Sequence, residues 1–439
     1  MAAPRVAVLA TVSLGSFLLS FSTSMANIAL PSLQRDLAVS APVAAWVQTS
    51  YLVVVTALLL GAGRVGDRVG TRLSFSVGAA VFGVGATCAA LSPTFPLLLA
   101  SRAVSGVGAA AAMSAGPAIL VATYPPAERG RALGAQAMLT YVGLSLGPTL
   151  GGYLTSLAGW RGVFWTTAAV ALALAVLAPV LLPVSPRRDV RVDLGPALAI
   201  GVVSASVVFG LHRSATRGGV DALAAASLAT GVLVAVLIAL RESRASVPFI
   251  PRALASSFEI RRGVAAAIAQ YASTFSLGFA TPFFLQHAFG KTPREAGLLM
   301  TVQPVAMVLS SPVAGVLADR ASPRPVALTG LAAIAVGGGL LSIASSTIGF
   351  VLVGLCLVGV GSGLFTTPNT ALALGAAEPQ SRTTASSILA WARNVGMAIG
   401  VATAALVFAL TGGTDAAFSG CALACAAFAT AGAALYLAR

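Results

Sequence analysis

Charge is what this sequence has least of. Only 9% of its 439 residues are Asp, Glu, Lys or Arg, against about a quarter in a soluble domain. So few charges cannot clothe a water-exposed surface. With 57% of the residues hydrophobic, most of the surface must face lipid. Lysine is nearly absent, Lys291 standing against 25 arginines, and there are two histidines, His212 and His287. The four cysteines, Cys88, Cys356, Cys421 and Cys425, all fall in apolar segments. Cys421 and Cys425 share a helix face but have no His or carboxylate beside them, so they read as small packing residues. No metal and no cofactor is implied. No glycine-rich nucleotide loop precedes a basic helix start, and no nucleophile–base pair stands out, which argues against an enzyme or an ATP-driven pump. The net charge of +14 would suit nucleic acid. The arginines, however, sit in short loops between apolar runs, which is the pattern of topology signals.

Apolar runs long enough to cross about 30 Å of hydrocarbon cover 7–29, 43–62, 74–91, 95–122, 133–155, 162–183, 195–212, 221–240, 262–288, 295–317, 325–345, 348–374, 383–409 and 414–437. These are segments 1 to 14, an all-α membrane protein with fourteen transmembrane helices. The first run has Arg5 ahead of it and small residues near Ala26, like a signal peptide. Asn27-Ile28-Ala29-Leu30-Pro31 continues the helix, so we expect no cleavage. With the N-terminus inside, 18 of the basic residues face the cytoplasm and six lie outside: Arg35, Arg161, Arg213, Arg217, Lys291 and Arg294. Both termini are then cytoplasmic. The excess of Ala, Gly and Arg suits a GC-rich bacterial genome, and the expected location is the bacterial cell (inner) membrane.

One charged turn, Gly63-Arg64-Val65-Gly66-Asp67-Arg68-Val69-Gly70-Thr71-Arg72, has an echo 252 residues later. Gly63, Asp67, Arg68 and Arg72 map to Gly315, Asp319, Arg320 and Arg324. At an offset of 253, Gly106 and Gly108 map to Gly359 and Gly361, and Gly143 and Gly147 to Gly396 and Gly400. An ordered series of this kind indicates two copies of one helical bundle. Segments 1–6 match segments 9–14, leaving segments 7 and 8 as an insertion. The expected domains are 1–183 and 261–439, two six-helix bundles, with 184–260 as a linker holding the inserted pair. The loop after segment 8, near 241–261, reads as a short interfacial helix.

These residues resemble the major facilitator superfamily, in its fourteen-helix drug:proton antiporter branch. Gly63 to Arg72 looks like the family's loop motif between helices 2 and 3. Arg102-Ala103-Val104-Ser105-Gly106-Val107-Gly108 is similar to its helix-4 motif. Gly143-Leu144-Ser145-Leu146-Gly147-Pro148-Thr149-Leu150-Gly151-Gly152 resembles the helix-5 motif associated with exporters, and Asn27 to Pro31 the branch's helix-1 signature. The resemblance implies bundles related by a pseudo-twofold axis. It also implies a conformational latch, in which Asp67 reaches the start of segment 13 near Thr383 and Thr384, and Asp319 the start of segment 5 near Arg131. The carboxylates would be held there by helix N-termini. Gly70 completes the turn. The stripe Gly143, Gly147, Gly151 allows another helix to approach closely, Pro148 bends the helix, and the resemblance links that bend to export.

All twelve carboxylates fall in loops or at helix ends. The branch signature has an aspartate five residues before the asparagine, where this chain has Ser22. Arg102, about 10 Å below the outer end of its helix, therefore lacks the usual acidic partner. Arg102 either snorkels to the surface or serves a cavity; Ser22 and Asn27 join it as coupling candidates. Coupling could run through Arg102, water and an end carboxylate such as Asp36. By analogy the cavity draws on Gln48, Tyr51, Tyr141, Gln270, Tyr271, Gln303, Asn369, Trp391 and Asn394. Each is open to a second reading as glue between helices. Phe17, Phe21, Phe275, Phe279 and Phe283 run at helical spacing, as lipid-facing or packing residues or as a binding wall.

The reading is a monomeric secondary transporter exporting a small hydrophobic substrate, neutral or anionic, such as an antibiotic or metabolite, with a proton as the coupling ion to be tested. The alternatives are an uncoupled facilitator or importer of the same fold, and a membrane sensor or scaffold that no longer transports.

Overall fold

The computed structural model describes residues 5–125, 128–184, 195–217, 219–245, 248–320, 322–343, 347–378, 382–411 and 413–437. Among them the chain is helical throughout: α1 (Arg5–Asp36), α2 (Ala41–Ala44), α3 (Trp46–Val69), α4 (Thr71–Leu91), α5 (Phe95–Thr123), α6 (Arg129–Leu181), α7 (Gly195–Arg217), α8 (Ala222–Arg244), α9 (Arg252–Ser256), α10 (Phe258–His287), α11 (Pro293–Met300), α12 (Val302–Arg320), α13 (Pro323–Ile343), α14 (Ile348–Gly375), α15 (Arg382–Leu410) and α16 (Thr414–Leu437).

Local chemistry sets the helix ends. Asp221 caps α8 by accepting the Ala224 N–H, and Ser257 caps α10 through Ile260. Thr292 and Glu295 form a reciprocal capping box on α11. Gly70 turns the chain between α3 and α4 at φ 99°, a conformation costly for any residue with a Cβ. This explains a glycine within the charged turn.

Twelve helical segments among the described residues are long and apolar enough to cross a membrane. Their outer faces are apolar: on α8, Leu233, Val236, Leu237 and Leu240 are all exposed. Lipid satisfies such a surface where water would not. Helix α6 runs for 53 residues, about 80 Å at 1.5 Å per residue and more than twice the hydrocarbon thickness. Its regular geometry breaks at Ala158 and at Gly159, which takes φ 65°. Helix α10 is 30 residues long, with Glu259 in its first turn and His287 in its last.

The chain divides into two compact units. The first is Met1–Val39 with Trp46–Ala205; the second is Ser40–Ala45 with Ser206–Arg439. The boundary between these two units falls inside α7. Within the first unit, α1 lies along α6, α3 along α5, and α4 against α5 and α6. Within the second, α10 lies along α15 and α16, α12 along α14, and α13 against α14 and α16. The same pairings recur between elements that the 252–253 offset relates.

Polar ties fasten helix ends. Asp36 accepts from Trp160 Nε1 at 2.8 Å and from Arg161 Nη1 at 2.6 Å, and Arg161 Nη2 donates to the Ser92 carbonyl at 3.2 Å. Arg213 pairs with Asp221 at 2.7 Å across the turn from α7 to α8. The cysteines are free thiols, with Cys421 and Cys425 buried.

Candidate functional site: a buried cation in the first unit

Arg102 lies on α5 and is 1% exposed. Its Nε donates to the Val47 carbonyl of α3 at 3.2 Å. Its guanidinium carbon sits 4.4 Å from the centre of the Tyr51 ring and 5.6 Å from that of Phe164. Its Nη2 has no hydrogen-bond partner among the described residues. Two aromatic faces thus carry much of the charge, through their quadrupoles. Burial removes the snorkelling alternative. An arginine at the centre of a membrane helix costs about 2.5–3.5 kcal/mol on insertion scales, and this one is only partly compensated.

A polar cluster borders it. Gln48 Nε2 donates to the Thr23 carbonyl at 3.1 Å and to Asn27 Oδ1, joining α3 to α1. Gln48 Oε1 is buried and without a partner among the described residues. Tyr51 is 3% exposed and shares this buried region. Ser22 is buried on α1 but is not among the partners of Arg102. Asp36, the end carboxylate considered for coupling, is held by Trp160 and Arg161 instead. Every described carboxylate lies in a loop or near a helix end; Asp189 and Asp193 lie outside the described residues.

The second unit differs at the corresponding positions. Arg102 maps to Leu355, 1% exposed, while Asn27 maps to Phe279 and Thr23 to Phe275. Phe279, 0% exposed, meets Phe408 edge-on at 5.6 Å, and Phe283 lies 5.4 Å from Phe408. These phenylalanines, with Phe275 and Phe21, are buried packing residues rather than a lipid-facing stripe; Phe17 is half-buried and stacks on Phe21.

The other cavity candidates differ in burial and in the bonds they make. Gln270 Nε2 donates to Thr274 and Ser362. Asn369 donates to the Gly263 carbonyl and accepts from the Tyr436 hydroxyl. Asn394 donates to the carbonyl of Ala390 within its own helix. Gln270 and Asn369 thus bond between helices, whereas the Asn394 bond stays within α15. Tyr271 is buried, and Tyr141, Gln303, Trp391 and Arg393 are half-buried.

The glycine stripe of α6 lies against α1. A methyl group at Gly143 would come within 2.5 Å of the Phe17 carbonyl oxygen, and one at Gly151 within 2.8 Å of Ile28. Gly147 faces Ser24, whose hydroxyl donates to the Leu144 carbonyl at 2.9 Å. Pro148 and Gly152 are buried in the same stretch. In the second unit, methyls at Gly396 and Gly400 would each come within 2.5 Å of a carbonyl on α10, those of Ile268 and Ala272.

In the charged turn, Arg64, Asp67 and Arg68 are exposed, as is Arg320 in its echo. Gly63 and Gly315 are loosely packed, a methyl at either meeting nothing closer than 3.8 Å. The side chains of Asp319 and Thr383 lie outside the described residues. Both last arginines of the turn have a partner that spacing does not reveal. Arg72 Nη1 donates to the Pro179 carbonyl near the end of α6 at 3.2 Å, and Arg324 Nε to the Tyr436 carbonyl near the end of α16 at 3.1 Å. Each places positive charge on a helix C-terminus, where the dipole favours it.

Long helices with apolar outer faces define a polytopic membrane protein. The sequence profile of the Major Facilitator Superfamily matches residues 12–255 and 263–439, and the chain belongs to that family. It is 28% identical over 402 residues to the riboflavin transporter RibZ of Clostridioides difficile, covering 90% of this chain and 86% of that one. It is 29% identical to the multidrug resistance protein Stp of Mycobacterium tuberculosis, covering 91% and 75%. It is also 29% identical to the tetracenomycin C resistance and export protein of Streptomyces glaucescens, covering 74% and 60%. Among solved structures, a bacterial homologue of the human lysosomal transporter Spinster in an inward-facing state has a TM-score of 0.70 at 16% identity, covering 98% and 96%. The human organic anion transporter MFSD10 has a TM-score of 0.69 at 17% identity, covering 99% of both chains.

Proposed function

We propose that this chain is a proton-linked exporter of a small hydrophobic compound, neutral or anionic, working by alternating access in the bacterial inner membrane. The observation that carries the reading is Arg102. A buried guanidinium with a free nitrogen, with every described carboxylate in a loop or near a helix end, repels lipophilic cations and tolerates an anionic or hydrogen-bond-accepting solute. Export is supported by the glycine seam between α1 and α6 and by relatives named for resistance and export.

Fourteen crossings are supported by the length and break of α6 and by the 30 residues of α10. The arginine bias supports cytoplasmic termini. Asp67 and Asp319 act as the latch in this reading, each ending a helix that runs into a charged turn.

The test is drug susceptibility in a host stripped of its own exporters. Resistance to neutral or anionic compounds, without resistance to ethidium, is expected; ethidium efflux that depends on this chain overturns the charge argument. Similarity to a riboflavin transporter favours one second reading, uptake by the same fold. Transport of one labelled substrate into inside-out but not right-side-out vesicles, driven by a proton gradient, separates export from it.

A further inference from the structure

The strap between α8 and α10 concentrates arginine where two membrane helices meet the surface. Between residues 241 and 262 it holds five arginines, Arg241, Arg244, Arg252, Arg261 and Arg262, and two carboxylates, Glu242 and Glu259. Both carboxylates are already engaged. Glu242 accepts the Phe249 backbone N–H at 2.5 Å, and Glu259 pairs with Arg262 at 3.4 Å. Arg262 is itself 5% exposed, with its guanidinium 4.3 Å from the Phe258 ring centre. The other four arginines are exposed.

The described residues on either side are tied down. Arg252 Nη2 donates to the carbonyls of Ser243 at 3.2 Å and Ala245 at 2.9 Å, drawing α9 back onto the end of α8. Beneath it, Leu254 and Ile260 are buried against Ala377 and Ala385, with Leu374 and Ile388 alongside. Leu374 lies at the end of α14 and Ala377 just after it, while Ala385 and Ile388 lie in the first turns of α15. Phe258, 44% exposed, presents an apolar ring beside the arginines.

We propose that Arg241, Arg244, Arg252 and Arg261 form a docking site for anionic phospholipid headgroups at the junction of α8, α9 and α10. The helix ends hold the guanidinium groups at headgroup level, where a phosphate meets charge-assisted donors and the exposed ring meets acyl chain. A juxtamembrane arginine is worth about a fivefold preference for anionic over zwitterionic lipid. Because the strap packs on α14 and α15, a bound lipid also braces the ends of two helices that the second unit contributes to transport.

The test needs no substrate, so it stands or falls apart from the proposed export. Purified protein is equilibrated with mixed micelles of phosphatidylglycerol and phosphatidylcholine, and the retained lipid is measured by mass spectrometry. The triple variant Arg241→Gln, Arg244→Gln, Arg261→Gln should lower the phosphatidylglycerol preference by at least about tenfold. The triple lysine variant, which keeps the charge and guards against misfolding as the cause, should retain most of it. A control pair outside the strap, Arg129→Gln with Arg131→Gln, also removes juxtamembrane charge, and its loss of preference should be several-fold smaller than that of the triple. An unchanged preference in the glutamine triple overturns the site, as does an equal loss in the control pair. Inorganic phosphate that displaces the lipid at millimolar concentration would show a free-anion site and overturn the lipid assignment.

Discussion

The guanidinium of Arg102 lies over the ring of Tyr51, 4.4 Å from its centre, with neither residue more than 3% exposed. The pair holds a charge inside the first unit that the second unit replaces by Leu355. A cation so placed, with one nitrogen unpartnered, is costly to the fold, and such a cost points to use. We expect Arg102→Leu to stabilise the protein by about 1–3 kcal/mol while abolishing transport. Thermal unfolding in detergent and vesicle transport measure the two sides. A variant both less stable and fully active would remove Arg102 from the mechanism.

Contact between α1 and α6 leads to a prediction about glycine. Gly143→Ala forces a methyl against the Phe17 carbonyl and should cost about 1–3 kcal/mol. Gly134→Ala, nine residues earlier on the same helix, meets nothing within 4 Å. There alanine should be neutral or stabilise by up to about 1 kcal/mol. Melting temperatures of the two variants, compared side by side, check this; equal effects would contradict the packing described.

Asp67 ends α3 as an exposed carboxylate. As a latch residue it should tolerate loss of charge for insertion but not for function. Asp67→Asn is expected to reach the membrane at normal abundance and to transport at background level. Wild-type transport by that variant would leave the turn a topology signal and nothing more.

The tie between α7 and α8 gives a prediction in pH. The Arg213 side chain, and after it the Ala224 N–H, hold the Asp221 carboxyl below the usual carboxylate range. A lowered folded value means stabilisation above the ordinary pKa of about 4, lost only as pH falls through the lowered value. Asp221→Asn should therefore lower the melting temperature by a constant amount from about pH 5 to 8, and the gap should close in stronger acid. A gap that changes within the neutral range would assign the titration elsewhere.

The duplication was legible because Gly63, Asp67 and Arg72 recur in order at one offset, and the close seam because Gly143, Gly147 and Gly151 recur every fourth residue. The partners of Arg72 and Arg324 were not legible. Each binds a backbone carbonyl, which any residue could supply, more than 100 positions along the chain. Phe279 and Phe283 were ambiguous because an aromatic ring on a membrane helix suits lipid and interior alike, and contacts with Phe408 made them interior. Gly159 passed unnoticed in a sequence with 46 glycines, since composition does not show which one takes a positive φ.

Where α1 meets α6, Gly143 rests on the Phe17 carbonyl, Gly147 on Ser24 and Gly151 on Ile28, which leaves little slack to cushion a shift. Neither rod can slide or swivel against its neighbour without first parting from it. Spin labels placed one on each should keep the same spacing through the whole working cycle, a fixed yardstick against which the displacement of every other helix can be read.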